Sequence, residues 1–420
     1  MTTVLDPGPS RLVPLIWLFL ATIQSKIDNE EAIYPFFRLA LFFALPFALL
    51  YLAQCVMRAR FTTGRWLALA CFSYLILYPF GTMAFGSAED KVRHIKDALY
   101  ILSLYIVYFF FARRYFLGKY GQLDIQALGR FLVLFALLES AIAVMMLSGL
   151  SFGLDFEQAL WLDGRLHGLM GTPSHLAPVV SVAALFLVTQ SLNSTNALKL
   201  AFLFIVLVMT GSRGALVGFF GAVFIYLVTQ AQHLRLRPGA MVLIVLGVAV
   251  MGGAFALFPT DLEEIVAVAV RSDPDDWEKS RTVMWALRIN EYVQMDSSTQ
   301  LFGAGHRAIG QTFNCNIEYL VNYGAIYTLV FNILYGAVVV RFMLRSARAR
   351  GPDHAYLLMV AVSTYLFMQG LNPTFYAFVH ISNFLLIIML ITYFERFNLY
   401  NVIEVSRASS PEQLTLRGGV

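Results

Sequence analysis

The feature that most restricts this chain is the recurrence of long apolar runs, separated by polar connections almost from end to end. Such runs occupy residues 12–25, 33–56, 66–85, 98–112, 130–149, 177–192, 198–211, 213–230, 239–258, 314–343, 356–372 and 376–394. A helix needs roughly 20 apolar residues to cross the hydrocarbon of a bilayer. The pattern predicts about twelve spans, several short enough to be tilted or partly re-entrant. In lipid a helix satisfies its own backbone polar groups, so the expected fold is an all-α polytopic bundle. Composition agrees: 59% of residues are apolar and 13% charged, against about 25% charged in soluble domains. Mean hydropathy is +0.68. No fixed-period repeat is visible.

The sequence pI near 8.9 does not point to nucleic acid, because the basic residues sit between apolar runs, where membrane topology accounts for them. Cys55, Cys71 and Cys315 are scattered and support neither a disulfide framework nor a zinc site. Arg11 precedes Leu12–Ile23 without a small-residue cleavage site, so that run is expected to be a retained span. The bundle is expected to occupy 1–400, with a polar tail over 401–420.

Lys and Arg set the orientation. One side collects Arg11, Arg58, Arg60, Arg65, Arg113, Arg114, Lys119, Arg130, Lys199, Arg235, Arg237, Arg341, Arg345, Arg348, Arg350, Arg396, Arg407 and Arg417. The bias alternates consistently and predicts that both termini are cytoplasmic. The 150–176 loop, Arg213 and the long polar segment 259–313 then face outward, into the periplasm of a bacterium. A polar excursion of that length between spans is often functional. Chemistry on that side has no nucleotide-sugar or ATP supply, so any donor must arrive already activated on a lipid.

Several residues on that side carry candidate chemistry. Ser212 and Arg213 open the span at 213–230. Ser212 suits an N-cap, and an arginine beside the free N–H groups of a helix start suits a phosphate. The plainer reading is an arginine that snorkels to the interface. Ser280 to Met295 reads as a short helix with Arg281, Trp285 and Arg288 on one face, placed either to hold a pyrophosphate or simply to meet water. Asp273, Asp275, Asp276 and Glu278 precede it without matching a cation loop, and acids before a helix start need no metal.

Glu318 lies one turn inside the run that begins near Asn314, on the same face. An intramembrane carboxylate is a functional candidate, either as a general base or as the structural partner of an arginine. His306 follows Gly303 and Gly305 and is a second possible base or a solvated loop histidine. Arg165, His167 and His175 lie in the 150–176 loop, whose glycines and proline shape a turn back to the membrane. Arg38 and His380 lie near the outward ends of their runs and are candidates for the same cavity. Glu139, deeper, reads as a structural hydrogen-bond partner.

Three segments together resemble the O-antigen ligase and Wzy polysaccharide polymerase superfamily. Arg165 to Ala177 is similar to R-x-x-G-x-x-x-x-P-N-x-x-A, with Ser174 in place of Asn. Ser212 to Ala215 is similar to an S-R-G/S-A helix start. Gly303, Gly305, Phe313, Asn314 and Gly324 to Tyr327 resemble a G-x-G segment followed by H-N/S-x9-G-x-x-G/T/Y. Each motif alone is weak; their order around a long outward loop is more specific.

The resemblance implies a GT-C-like bundle, without cofactor or metal, that acts on undecaprenyl-pyrophosphate-linked oligosaccharides as donor and acceptor. A flippase and a chain-length regulator would be its protein partners. Arg213 and Arg281 would take the pyrophosphate-binding roles, with Arg165, Arg288 and Arg38 as further contacts. Phe313 stands where the ligases carry histidine, which favours a polymerase over a ligase and leaves Glu318 or His306 as the base. A twelve-span secondary transporter is the rival from another class. It would be expected to show related halves and broken, polar helices at mid-membrane.

Overall fold

The computed structural model describes residues 124–147, 173–191, 193–231, 281–305, 314–349 and 352–370. It also describes Tyr115, Leu166, Gly168 and isolated positions between 45 and 82. The regular structure among these residues is helical, with no strand. The helices are α1 (Ile125–Leu147), α2 (Pro173–Thr189), α3 (Ser194–Met209), α4 (Arg213–Ala231), α5 (Arg281–Gln294), α6 (Ser297–Phe302), α7 (Cys315–Ala349) and α8 (Pro352–Gly370). The expected spans at 130–149, 177–192, 198–211, 213–230 and 356–372 correspond to α1, α2, α3, α4 and α8. The runs at 12–25, 33–56, 98–112, 239–258 and 376–394 lie wholly or mostly outside the described residues, as do most of 66–85 and the 401–420 tail.

Local chemistry sets the helix starts. The Asp124 carboxylate accepts from Ala127 N at 2.9 Å ahead of α1. Asn193 accepts from Asn196 N at 2.8 Å ahead of α3. Asn314 Oδ1 accepts from Asn316 N and Ile317 N at 3.0 and 3.3 Å ahead of α7. Each side chain satisfies an amide that the helix itself leaves free. Pro173 opens α2, where its fixed φ fits and its missing N–H costs nothing.

Pair contacts fix the directions. Phe186 meets Tyr356 edge-on, and Ser181 Oγ lies 3.3 Å from Ser363 Oγ, so α2 and α8 run antiparallel. Asn332 Oδ1 accepts from Tyr365 OH at 3.0 Å and Tyr335 OH donates to Ala361 O at 2.8 Å, so α7 over residues 332–335 runs antiparallel to α8 as well. Short links return α2 to α3 and α3 to α4. Pairing of Phe204 with Phe219 and Phe220 shows α3 and α4 side by side.

The centre of the bundle is α2, in which every residue from Leu176 to Thr189 is buried. A helix that is apolar on all sides belongs inside a large core or a membrane bundle. Two glycines admit close approach: the Phe186 ring packs onto α1 at Gly129, and Gly218 of α4 lies against the Ser363 backbone of α8.

Two described stretches, Ile125–Met146 and Cys315–Arg348, are long and apolar enough to cross a membrane by length and composition, the second interrupted at Gly324. Large apolar side chains point outward around the bundle. Leu198, Ile205, Val217, Phe224, Leu329 and Ile333 are each more than half exposed.

The run expected as one span at 314–343 is instead broken. Gly324 has φ 85 and ψ 174, inside what would otherwise be a 35-residue helix. In a straight helix Asn316 and Asn332 would sit about 24 Å apart. Here Asn332 Nδ2 donates to Asn316 Oδ1 at 2.8 Å, and Tyr319 meets both Tyr327 and Phe331 edge-on. The segment before Gly324 therefore folds back along the segment after it.

Candidate functional site at one end of the bundle

The directions above bring the start of α2, the α3–α4 corner, the α7 hairpin and the last turn of α8 to one end of the bundle. The opposite end carries Asp124, Gln126, Arg130, Lys199, Arg348 and Asp353, with Gln126 Nε2 donating to Asp353 at 2.6 Å.

At the first end the resemblance motifs meet through backbone. Leu166, buried, donates its N–H to Met209 O at 3.2 Å. This lays Leu166 against the corner that leads to Arg213. The corner is tight: Gly211 has φ 58, Thr210 Oγ1 donates to Leu207 O at 2.6 Å, and Ser212 N donates to Thr210 Oγ1 at 3.3 Å. Ser212 is buried, and its carbonyl accepts from Leu216 N at 3.1 Å, so it occupies the capping position expected of it.

The two halves of the third motif also join. Ala304 N donates to Val321 O at 2.9 Å, and Gly305 N to Asn322 O at 3.0 Å. These carbonyls lose their intrahelical partners at the Gly324 break, and the glycine segment satisfies them. Contact is so close that a Cβ on Gly303 would lie 2.3 Å from Asn322 O, and one on Gly324 2.2 Å from Leu301 O. Tyr78 OH donates to Phe302 O on the outer side of the same junction.

Within the hairpin, amides and hydroxyls form a chain. Asn316 Nδ2 donates to Gln369 Oε1 at 2.7 Å, and Tyr365 OH to Asn332 Oδ1 at 3.0 Å. Asn332 also donates to Thr328 O, and Gln369 Nε2 lies 3.6 Å from the buried Cys315 Sγ. This polar chain fastens the returning segment to α8. Glu318, half-buried, sits one turn in from the cap, its N–H on Asn314 O at 3.0 Å.

α5 forms where the sequence placed it and packs on α7. Arg288 is paired within the helix: its Nη1 reaches both Glu291 oxygens at 2.9 and 2.7 Å. Any anion that engages this guanidinium must share it with Glu291. Asp296 caps α6, and hydrogen bonds from Ser298 and Thr299 hold its carboxyl well below the usual carboxylate range.

Arg213 and Arg281 are each the first residue of a helix, α4 and α5, while their side chains lie outside the described set. His175 lies in the first turn of α2, its side chain likewise outside. Arg38, Arg165, His167, His306 and His380 lie outside the described residues. Among the described residues no group of three or more His, Cys, Asp and Glu could hold a metal ion. Sequence reasoning missed the fold-back at Gly324. The signal was there, in a glycine amid the Tyr319, Tyr323 and Tyr327 series. No protein-family model matches the chain, and no curated protein matches it significantly.

Proposed function

We propose that this chain is a bacterial inner-membrane glycosyltransferase, a Wzy-type polymerase that joins undecaprenyl-pyrophosphate-linked repeat units at the periplasmic face. The observation that carries the reading is convergence. Backbone hydrogen bonds from Leu166 to Met209, and from Ala304 and Gly305 to the broken α7, gather all three resemblance motifs at one end of the bundle.

Arg213 and Arg281, with Arg165, Arg288 or Arg38, neutralise the donor's pyrophosphate as charge builds on it in the transition state. Glu318 or His306 takes the proton from an acceptor hydroxyl. The oxygen attacks the anomeric carbon, the bond to the pyrophosphate oxygen breaks, and undecaprenyl pyrophosphate leaves. The growing glycan then stands on the acceptor's lipid.

The test uses purified protein with a synthetic undecaprenyl-pyrophosphate repeat unit. Wild type should build a ladder of products, and Arg213→Ala or Arg281→Ala should each lower the rate at least about 100-fold, the scale for loss of one transition-state contact. Ladders that survive both changes remove the mechanism. A ligase of the same superfamily would need a lipid A core acceptor. A deletion strain that keeps one repeat unit on the core points to the polymerase, and one that keeps none points to the ligase.

One observation favours a secondary transporter. The broken α7 and its Asn316–Asn332–Gln369 chain are features that such carriers use. Here the freed carbonyls are already bonded to Ala304 and Gly305. Ion-driven solute uptake in proteoliposomes would establish the transporter instead.

A further inference from the structure

The surface of α5 and α6 is divided in a way that the proposed chemistry does not use. Ile289, Val293, Leu301 and Phe302 are each between 45% and 63% exposed. Ile289 and Val293 lie one turn apart and share a face of α5. Glu291, paired with Arg288, falls on the opposite face together with Leu287. The two helices are joined beside Val293. Gln300 Nε2 donates to the Tyr292 and Val293 carbonyls at 3.2 and 3.0 Å, and Tyr292 OH donates to Gln300 O at 3.0 Å. This brings Val293 next to the Leu301–Phe302 end of α6. A contiguous exposed apolar patch on an otherwise polar segment marks a contact with something apolar.

α7 gives the level at which the patch lies. The Phe302 carbonyl accepts from Tyr78 OH, and Tyr78 stacks on Tyr327. A Cβ on Gly324 would lie 2.2 Å from Leu301 O. The patch is therefore fixed beside Gly324, at the head of the α7 segment that leads to Arg341, Arg345 and Arg348. No charged residue occurs from Tyr319 to Val340. From Gly324 to Arg345 the helix is about 32 Å long, against about 30 Å for the hydrocarbon of a bilayer. With Arg345 at one boundary of a bilayer, Gly324 reaches the other, and the patch comes with it. Exposed Ile326, Leu329 and Ile333 continue the apolar surface along α7 from the same point. Tyr74 and Tyr78, half-buried, cluster there with Tyr327, and tyrosine gathers at membrane–water boundaries.

We propose that α5 and α6 form a platform resting on the membrane surface, with Ile289, Val293, Leu301 and Phe302 set among lipid headgroups and the first acyl carbons, and Leu287 and Glu291 turned to water. The partner is a phospholipid surface, which takes an apolar helix face at this depth. The bonds through Gln300, Ala304 and Gly305 make the platform one piece with α7. The inference stands on α7 crossing a bilayer and is independent of the polymerase reading.

The experiment uses the full chain with Cys55 and Cys71 changed to alanine and buried Cys315 kept. It is reconstituted at one copy per nanodisc of phosphatidylethanolamine and phosphatidylglycerol. A nitroxide is attached in turn to Val293→Cys, Phe302→Cys, Leu287→Cys, Glu291→Cys and, as the hydrocarbon reference, Leu329→Cys. Power saturation compares collisions with oxygen, which concentrates in hydrocarbon, and with a neutral nickel chelate, which stays in water. The oxygen-to-nickel ratio at Val293→Cys and Phe302→Cys should exceed that at Leu287→Cys and Glu291→Cys by about fivefold, and stay below that at Leu329→Cys. Leu287 is the decisive control, because it is as apolar as the patch but lies on the other face.

Equal ratios at Val293→Cys and Leu287→Cys overturn the inference. So do patch labels shielded from both agents, since protein then covers the patch, and so does a Leu329→Cys label that reports water. Every labelled site is exposed, and substitutions at such sites leave stability nearly unchanged. Ile289→Cys and Leu301→Cys stand in for either patch variant that fails to fold. None of these readings involves a glycan, so the platform and the proposed function fail separately.

Discussion

Gly303 and Gly324 show how much a missing Cβ decides here. Both have positive φ, 86 and 85, and each backs onto the other's strand of backbone. Alanine at Gly324 would strain the backbone and drive a methyl to within 2.2 Å of Leu301 O. Gly324→Ala should therefore cost about 2 kcal/mol or more, read as a lower melting temperature in detergent. Gly218 and Gly336 make a second, sharper comparison. A Cβ at Gly218 meets Ser363 O at 2.7 Å, whereas Gly336 has nothing within 4 Å. Gly218→Leu should destabilise strongly and Gly336→Leu should be tolerated; equal melting temperatures would contradict the α4–α8 packing described. Neither distinction is legible in the sequence, where both are glycines within apolar runs. What could be read was that Ser212 opens a helix and that Glu318 sits one turn past Asn314, because caps and turns are local.

The elements divide in the same way. α1 to α4, α5 and α8 were readable because apolar length, or a polar cap before an amphipathic stretch, marks each of them. α7 was not, because its fold-back depends on partners far off in the chain: Ala304 and Gly305 for the freed carbonyls, Gln369 for Asn316. α6 yields a pH prediction. Hydrogen bonds from Ser298 and Thr299 depress the Asp296 pKa from 3.8. A depressed carboxyl contributes stability above its unfolded pKa and loses it as pH falls through its folded one. The α6 cap should thus persist through neutral and mildly acidic pH and fail only in strong acid, well below about pH 4. Amide exchange at Thr299 followed against pH checks this, and Asp296→Asn should abolish the dependence.

For the whole molecule, the positional statement is that Ser212, the α7 hairpin and α6 share one end, and Arg130, Lys199 and Arg348 the other. In the proposed orientation, which follows the Lys and Arg pattern, the second end is the cytoplasmic one. Cysteines substituted singly at Ser298 and Arg348, both exposed, should react with an impermeant maleimide only from the periplasmic and only from the cytoplasmic side, respectively. Reaction of the Ser298 position from the cytosol would remove the proposed function, which places the lipid-linked donor on the periplasmic side.

The sheltered position of α2 also bears on how the protein is made. α1 and α3 cover two sides of it and α8 a third, through Ser363 and Tyr356, and the ribosome reaches α8 long after α2 has left the tunnel. A growing chain that already holds α1 to α4 but lacks α8 would leave that side of α2 open as a trough, and in a membrane lipid tails or an insertase would be expected to cover it. Nascent chains halted before Pro352 should stay crosslinkable to that machinery, and release should follow once the last wall of the trough arrives.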